Sequence, residues 1–124
     1  NFEQKLTKAV RTLTIAGKNV VLTADVPTLN FPAGKCLFMN KALARPQCSM
    51  DASILSDQEE YLSVFRKLDE IENVEVILTR DFFCDADDCY ALRQDSLLYA
   101  DHHHLNSVGS DLFVEFLAKR SHHF

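Results

Sequence analysis

Apolar residues recur at helical spacing from the first positions of the chain. Phe2, Leu6, Ala9, Val10 and Leu13 share one face, and Gly17 follows as a stop. This helix begins almost at the first residue, without an initiator Met and with little room for an N-cap, so the chain reads as a piece of a longer one. Beyond Lys18-Asn19, the run Val20-Val21-Leu22-Thr23-Ala24 is short, apolar and β-branched. It predicts a strand buried on both faces. Residues 26–52 carry all three prolines and predict a long irregular loop. Tyr61, Leu62, Phe65, Leu68 and Ile71 then line one face of a helix expected over 56–72, capped by Ser56 or Asp57 with Glu59 or Glu60. Residues 74–79 predict a second strand and 80–96 a polar loop. Leu97-Leu98-Tyr99 predicts a brief extended piece, and a last helix is expected over 107–119. Alternation of helix and strand predicts an α/β fold with a parallel sheet.

Composition narrows the picture. The chain has 124 residues, 47% hydrophobic and 25% charged, which is the balance of a globular domain rather than a disordered one. A net charge of −5 argues against nucleic acid as a partner. No apolar run approaches the roughly 18–20 residues that span a bilayer, and no signal peptide opens the chain. If the protein is exported or tethered to a membrane, another segment does it.

Four cysteines form two local pairs, Cys36 with Cys48 and Cys84 with Cys89. Four cysteines allow three pairings. Pairing within each local pair is preferred, because each pair flanks a loop. Such closures would stabilise by roughly 3 and 2 kcal/mol in the loop-entropy model. Disulfides in turn imply an oxidising compartment.

The segment Leu98-Tyr99-Ala100-Asp101-His102-His103-His104-Leu105-Asn106-Ser107-Val108-Gly109 carries the chemistry. It sets an Asp three residues before a His, after the last extended piece and ahead of a capped helix. Sites of open α/β sheets form beyond the carboxyl ends of strands. A carboxylate there can orient one imidazole nitrogen while the other takes a proton from a nucleophile hydroxyl.

This block resembles the closing Asp-x-x-His-Leu block of SGNH-type serine esterases. Nearly the whole chain resembles the C-terminal part of the SGNH domain of membrane acyltransferase family 3 proteins, which O-acetylate lipopolysaccharide, peptidoglycan and other surface glycans. Gly17-Lys18-Asn19-Val20-Val21-Leu22, Asp25-Val26-Pro27, the four cysteines and Leu98-Tyr99-Ala100-Asp101 with His104-Leu105 carry the likeness. The resemblance implies a flavodoxin-like three-layer parallel sheet, truncated at its N-terminal side, with residues 1–124 as the closing portion of one domain. It implies that His104 is a catalytic base and Asp101 its orienting partner. A serine nucleophile, acyl-enzyme chemistry and an oxyanion hole of backbone N–H, Gly and Asn groups complete the implied mechanism. Its partners would be an acyl donor, a glycan acceptor and an upstream membrane domain, at a periplasmic location in a bacterial inner-membrane protein. No cofactor is implied.

Two of those parts are not found in these residues. No Gly-Asp-Ser block is present, and Ser96 follows Gln94-Asp95 too close to the His to be the nucleophile. Gly17-Lys18-Asn19 mimics the Gly-x-Asn block but falls at the start of a strand, so it reads as a helix stop. The fragment alone is therefore expected to be inactive. The alternative is a noncatalytic, disulfide-braced binding module on the same scaffold. A metal protein using the His run is a third reading, set against the expectation that consecutive side chains diverge. His102 and His103 read as loop residues, and His122 and His123 as a solvated tail. Asp85, Asp87 and Asp88 read as a solvated acidic loop, Asp25 and Asp81 as strand-end caps, and Phe82-Phe83 as packing. Two apolar strands without further partners would leave open edges, so a homo-oligomer is expected.

Overall fold

In the computed structural model, residues 1–36 and 48–123 are described. The first helix, α1, spans Phe2–Ile15. Asn1 caps it after all, its side-chain oxygen accepting from the Gln4 N–H at 2.9 Å. Gly17 ends it at φ 80°, a left-handed turn that glycine adopts without steric cost. The N–H groups of Gly17 and Lys18 donate back to the carbonyls of Thr14 and Leu13. The glycine is thus a helix stop, as its place in the sequence predicts.

Strand β1 (Val20–Thr23) pairs in parallel with β3 (Val74–Ile77), with Val20 opposite Val74 and Thr23 opposite Ile77. Between them, β2 (Ser49–Asp51) leads into a 3-10 segment (Ala52–Gln58) and helix α2 (Glu59–Leu68). The cap at this helical entry comes from Asp51, whose carboxylate accepts from the Ser53 N–H, while Ser56 lies inside the 3-10 turn. The Asp57 side chain falls outside the described set.

Helices α1 and α2 cover one face of the parallel pair. Val10 of α1 and Val64 and Leu68 of α2 bury Val20 and Val74, with Leu6, Leu22 and Ile71 at the margin. Side chains alternate across a strand, so Glu75 points to the other face. There it accepts from the Ser121 hydroxyl at 2.8 Å and the His122 N–H at 3.2 Å. Those bonds bring the end of the last helix to the second face, giving helix, sheet and helix layers of an α/β fold. Burial of the strands is less complete than their apolar run suggests: Val20 is buried, Val21 and Leu22 are half-buried and Thr23 is exposed. A pair of strands is also too narrow to cover the whole apolar stripe of α1. Phe2 and Leu13, expected in the core, remain exposed, and Phe2 rests on the ring of Tyr61.

The second part of the molecule grows from the segment expected to be a polar loop. A short helix α3 (Arg80–Phe83) leads to β4 (Asp88–Tyr90), which pairs antiparallel with β2. A hairpin follows, β5 (Leu92–Arg93) and β6 (Ser96–Leu97). Its two-residue loop, Gln94-Asp95, holds both residues at positive φ, 51° and 64°. This backbone matches the right-handed twist of the flanking strands. The pair lacks the glycine that usually announces such a turn, and for that reason the hairpin is hidden in the sequence. The last helix, α4, spans Ser107–Arg120.

Cys36 is bonded to Cys48 and Cys84 to Cys89, the pairing preferred from spacing. Cys36, Cys48 and Cys89 are buried in the larger core cluster, together with Met50, Phe83 and Tyr99. The β2–β4 ladder sets Met50 opposite Cys89, so the two cystines are tied through one small sheet. The irregular loop expected over 26–52 gives way to β2 at its end, and residues 37–47 lie outside the described set. Phe82 and Phe83 pack edge to face and meet Phe113, in keeping with a packing role.

Candidate functional site

The Asp-x-x-His block forms a closed loop between β6 and α4. Leu98 donates to the Ala91 carbonyl and its own carbonyl accepts from the Asn106 N–H, while Ala100 N–H donates to the His104 carbonyl at 2.8 Å. Asp101 sits inside this turn. One of its carboxylate oxygens accepts from the backbone N–H groups of His103 and His104, at 2.8 and 2.7 Å. The other lies 2.8 Å from His104 Nδ1. Sequence spacing alone therefore builds the dyad, because an aspartate that caps its own turn brings the residue three positions on back onto its second oxygen.

The hydrogen bonds keep Asp101 ionised. The His103 backbone N–H, then the His104 ring and the His104 backbone N–H, hold the Asp101 carboxyl well below the usual carboxylate range. An ionised carboxylate only accepts, so the His104 nitrogen facing it, Nδ1, carries a proton, and in the neutral ring Nε2 then presents its lone pair. The His104 side chain is 65% exposed. Among the described residues, Nε2 has no hydrogen-bond partner. Because the folded pKa of Asp101 lies below the unfolded value of about 3.9, its contribution to stability is present above that value. It is lost only as pH falls through the lower one, so Asp101 stays ionised across neutral and mildly acidic pH.

Asn106 anchors the other side of the loop. Its side-chain oxygen caps α4 by accepting from the Gly109 N–H at 2.8 Å, and its amide donates to the Leu97 carbonyl at 2.7 Å. Neighbouring chain braces the loop from outside. Leu29 N–H donates to the His102 carbonyl at 2.7 Å, and the buried Tyr99 hydroxyl donates to the Pro27 carbonyl at 2.8 Å. The Thr79 hydroxyl donates to the Asp25 carbonyl at 2.6 Å, joining the ends of β1 and β3. The segment after β1 is thus seated directly against the loop of Asp101 and His104. Tyr99 and Asn106 escape a sequence reading focused on carboxylates and histidines, although both sit in the quoted block. Their signal was position: a tyrosine at the end of the last extended piece and an Asn at an N-cap.

Burial, and then the charge of Asp25, push the Tyr99 phenol well above its usual range. A raised folded pKa means stability that is full below the unfolded value of about 10 and falls as pH rises beyond it. Tyr99→Phe should cost about 1–2 kcal/mol at neutral pH through the lost hydrogen bond and the orphaned Pro27 carbonyl. The gap between the two proteins should narrow above about pH 10, where only the wild type has a phenol to ionise. Melting temperatures recorded from pH 7 to 11 check this, and parallel curves would refute it.

Other candidate residues separate clearly. Ser96 opens β6 in the hairpin, and no hydrogen bond joins it to His104 among the described residues. Asp85 caps its own loop, accepting from Asp87 N–H, Asp88 N–H and the Tyr90 hydroxyl. Asp25 accepts from the adjacent Val26 N–H, and Asp81 lies 3.7 Å from Arg120. These are structural carboxylates, as their strand-end and loop positions suggest. One expectation fails. The rings of His102, His103 and His104 do not diverge but cluster, with centroids 4.3 and 3.9 Å apart and planes inclined by 60° and 46°. The Asp101 cap curls the backbone, so consecutive side chains are gathered on one side of the turn.

With this geometry in place, the comparison with known families is decisive. The family model described as "SGNH domain (fused to AT3 domains)" matches residues 1–119. The chain belongs to that family. The comparison with curated proteins found no match, and neither did the comparison with solved structures. In this SGNH domain the match takes in the closed loop with Asp101 and His104 and both cystines. Membership fits the α/β architecture and associates the domain with AT3 acyltransferases. Among the described residues, no helix is long and apolar enough to cross a membrane.

Proposed function

We propose that this SGNH domain contributes the base and its orienting acid to an O-acyltransferase that acetylates a cell-surface glycan. The carrying observation is the Asp101–His104 pair, with Nδ1 held at 2.8 Å by an ionised carboxylate and Nε2 turned to solvent. That arrangement deprotonates a hydroxyl presented to Nε2. A serine supplied by upstream sequence would lose its proton to His104 and attack the donor's acetyl carbonyl, and His104 would pass that proton to the donor's departing group as the donor bond breaks, leaving an acetyl-serine. The glycan hydroxyl would then attack the acetyl-serine and give up its proton to His104, which returns it to the serine oxygen as the serine ester bond breaks. Two cystines support an oxidising, extracytoplasmic location, and the association with AT3 domains supports a membrane-bound parent.

Asp101→Asn in the complete protein tests the reading. The Asn side-chain oxygen can still accept from the backbone of His103 and His104, so the loop should hold. Its amide, however, would face Nδ1 as a donor and favour the tautomer with the proton on Nε2. Acetyl-ester turnover should fall about a thousandfold, with KM changed little. An Asn variant with wild-type turnover and pH profile would sink the catalytic reading and leave the domain as a binding module.

A further inference from the structure

The clustered histidines bring a further metal-ligating group, His103, up to the Asp101–His104 pair. Asp101, His103 and His104 each offer one ligand atom, and these atoms all lie within 4.8 Å of one another. His103 Nδ1 is 3.5 Å from Asp101 Oδ1, and His104 Nδ1 is 2.8 Å from Asp101 Oδ2. Ligands at about 2.0–2.2 Å from a tetrahedral zinc ion stand roughly 3.3–3.5 Å apart. The first distance already has that value, and the second needs to open by about half an ångström as His104 Nδ1 releases to solvent the proton it holds toward Asp101. We propose that Asp101, His103 and His104 form a binding site for a borderline divalent transition ion of the zinc class.

The chemistry of the donor set selects the ion. Two imidazoles and one carboxylate suit Zn²⁺ far better than Ca²⁺ or Mg²⁺, which require mostly oxygen ligands. Three protein ligands leave the fourth tetrahedral position to water. The backbone is organised for this before any ion arrives. Asp101 is fixed by the N–H groups of His103 and His104, and the loop is closed by the Ala100–His104 bond. The Asp101, His103 and His104 side chains are all about half exposed or more, so a hydrated ion reaches them without opening the fold. An ion held there engages both members of the dyad, but the inference concerns binding and does not depend on the acyl-transfer reading.

The test uses the untagged chain, freed of metal, titrated with Zn²⁺ in competition with a chromophoric chelator. One equivalent should bind per chain, and His103→Ala should weaken binding at least about tenfold. Replacing both tail histidines, His122→Ala with His123→Ala, should leave affinity within about twofold. A second readout follows the wild type directly: Zn²⁺ should protect His104 from modification by diethyl pyrocarbonate, scored by peptide mass spectrometry. Unchanged affinity in His103→Ala would overturn the proposal. So would loss of binding on removing only the tail histidines, or full zinc loading that leaves His104 as reactive as before.

Discussion

Replacing His104 by alanine should lower acetyl-ester turnover by about ten-thousandfold in the complete protein while barely changing its stability. The two halves of that statement come from different observations. Loss of activity follows from the role proposed for Nε2, that of proton acceptor in a ring oriented by the Asp101 carboxylate. Tolerance of the fold follows from exposure. The ring is 65% exposed, and its removal leaves no cavity. Asp101 keeps both backbone hydrogen bonds, from His103 and from the N–H of residue 104 itself. A surface substitution of this kind changes stability by no more than about 0.5 kcal/mol. His102→Ala provides the matching control, because its ring neighbours His103 but makes no contact with the Asp101 carboxylate. That variant should retain turnover within about twofold. Steady-state rates and thermal melts of the three proteins decide the matter. More than about a tenth of wild-type turnover in His104→Ala would remove this histidine from the mechanism.

The dyad could be read from sequence because its geometry is local. Three residues of separation and a capping aspartate suffice, and no distant chain has to arrive for Asp101 to meet His104. The helices and the parallel pair were readable for a similar reason, since each carries its own periodicity. What escaped was set by encounters between distant segments or by backbone conformations without a residue signature. The Gln94-Asp95 turn has positive φ at both residues but no glycine to mark it. The Leu29–His102 and Tyr99–Pro27 bonds join segments some 70 residues apart. Strand burial was overestimated because an apolar run tells what a strand can bury, not how wide the surrounding layers are. Phe2 and Leu13 lie outside the core on the same account. The clustering of His102, His103 and His104 was missed by a different route. The rule that neighbouring side chains diverge holds for strands and helices, whereas the Asp101 cap makes this segment neither.

Gly109→Ala should be among the most destabilising single substitutions in the chain, although alanine is the better helix former. Gly109 lies in the first turn of α4, where Ala ordinarily gains up to about 1 kcal/mol over Gly. Here space decides. An added Cβ would collide with the backbone carbonyl of Leu98, and backbone cannot rotate aside as the end of a side chain can. Leu98 itself is held on both sides, its N–H by Ala91 and its carbonyl by Asn106. The Gly109 N–H is likewise committed to the Asn106 cap. Relief of the clash must therefore push α4 off the segment 98–106, and with it the loop that positions Asp101 and His104. Overpacking of this kind costs about 3 kcal/mol, a drop of roughly 10 °C in melting temperature for a domain of this size. Turnover at low temperature should fall too, because Asn106 holds both the helix start and the Leu97 carbonyl ahead of the dyad. Gly34→Ala is the comparison: an added Cβ there meets nothing within 4 Å, so a shift of less than about 2 °C is expected. Equal melting temperatures for the two variants would mean that α4 is not held against Leu98 as closely as the glycine implies.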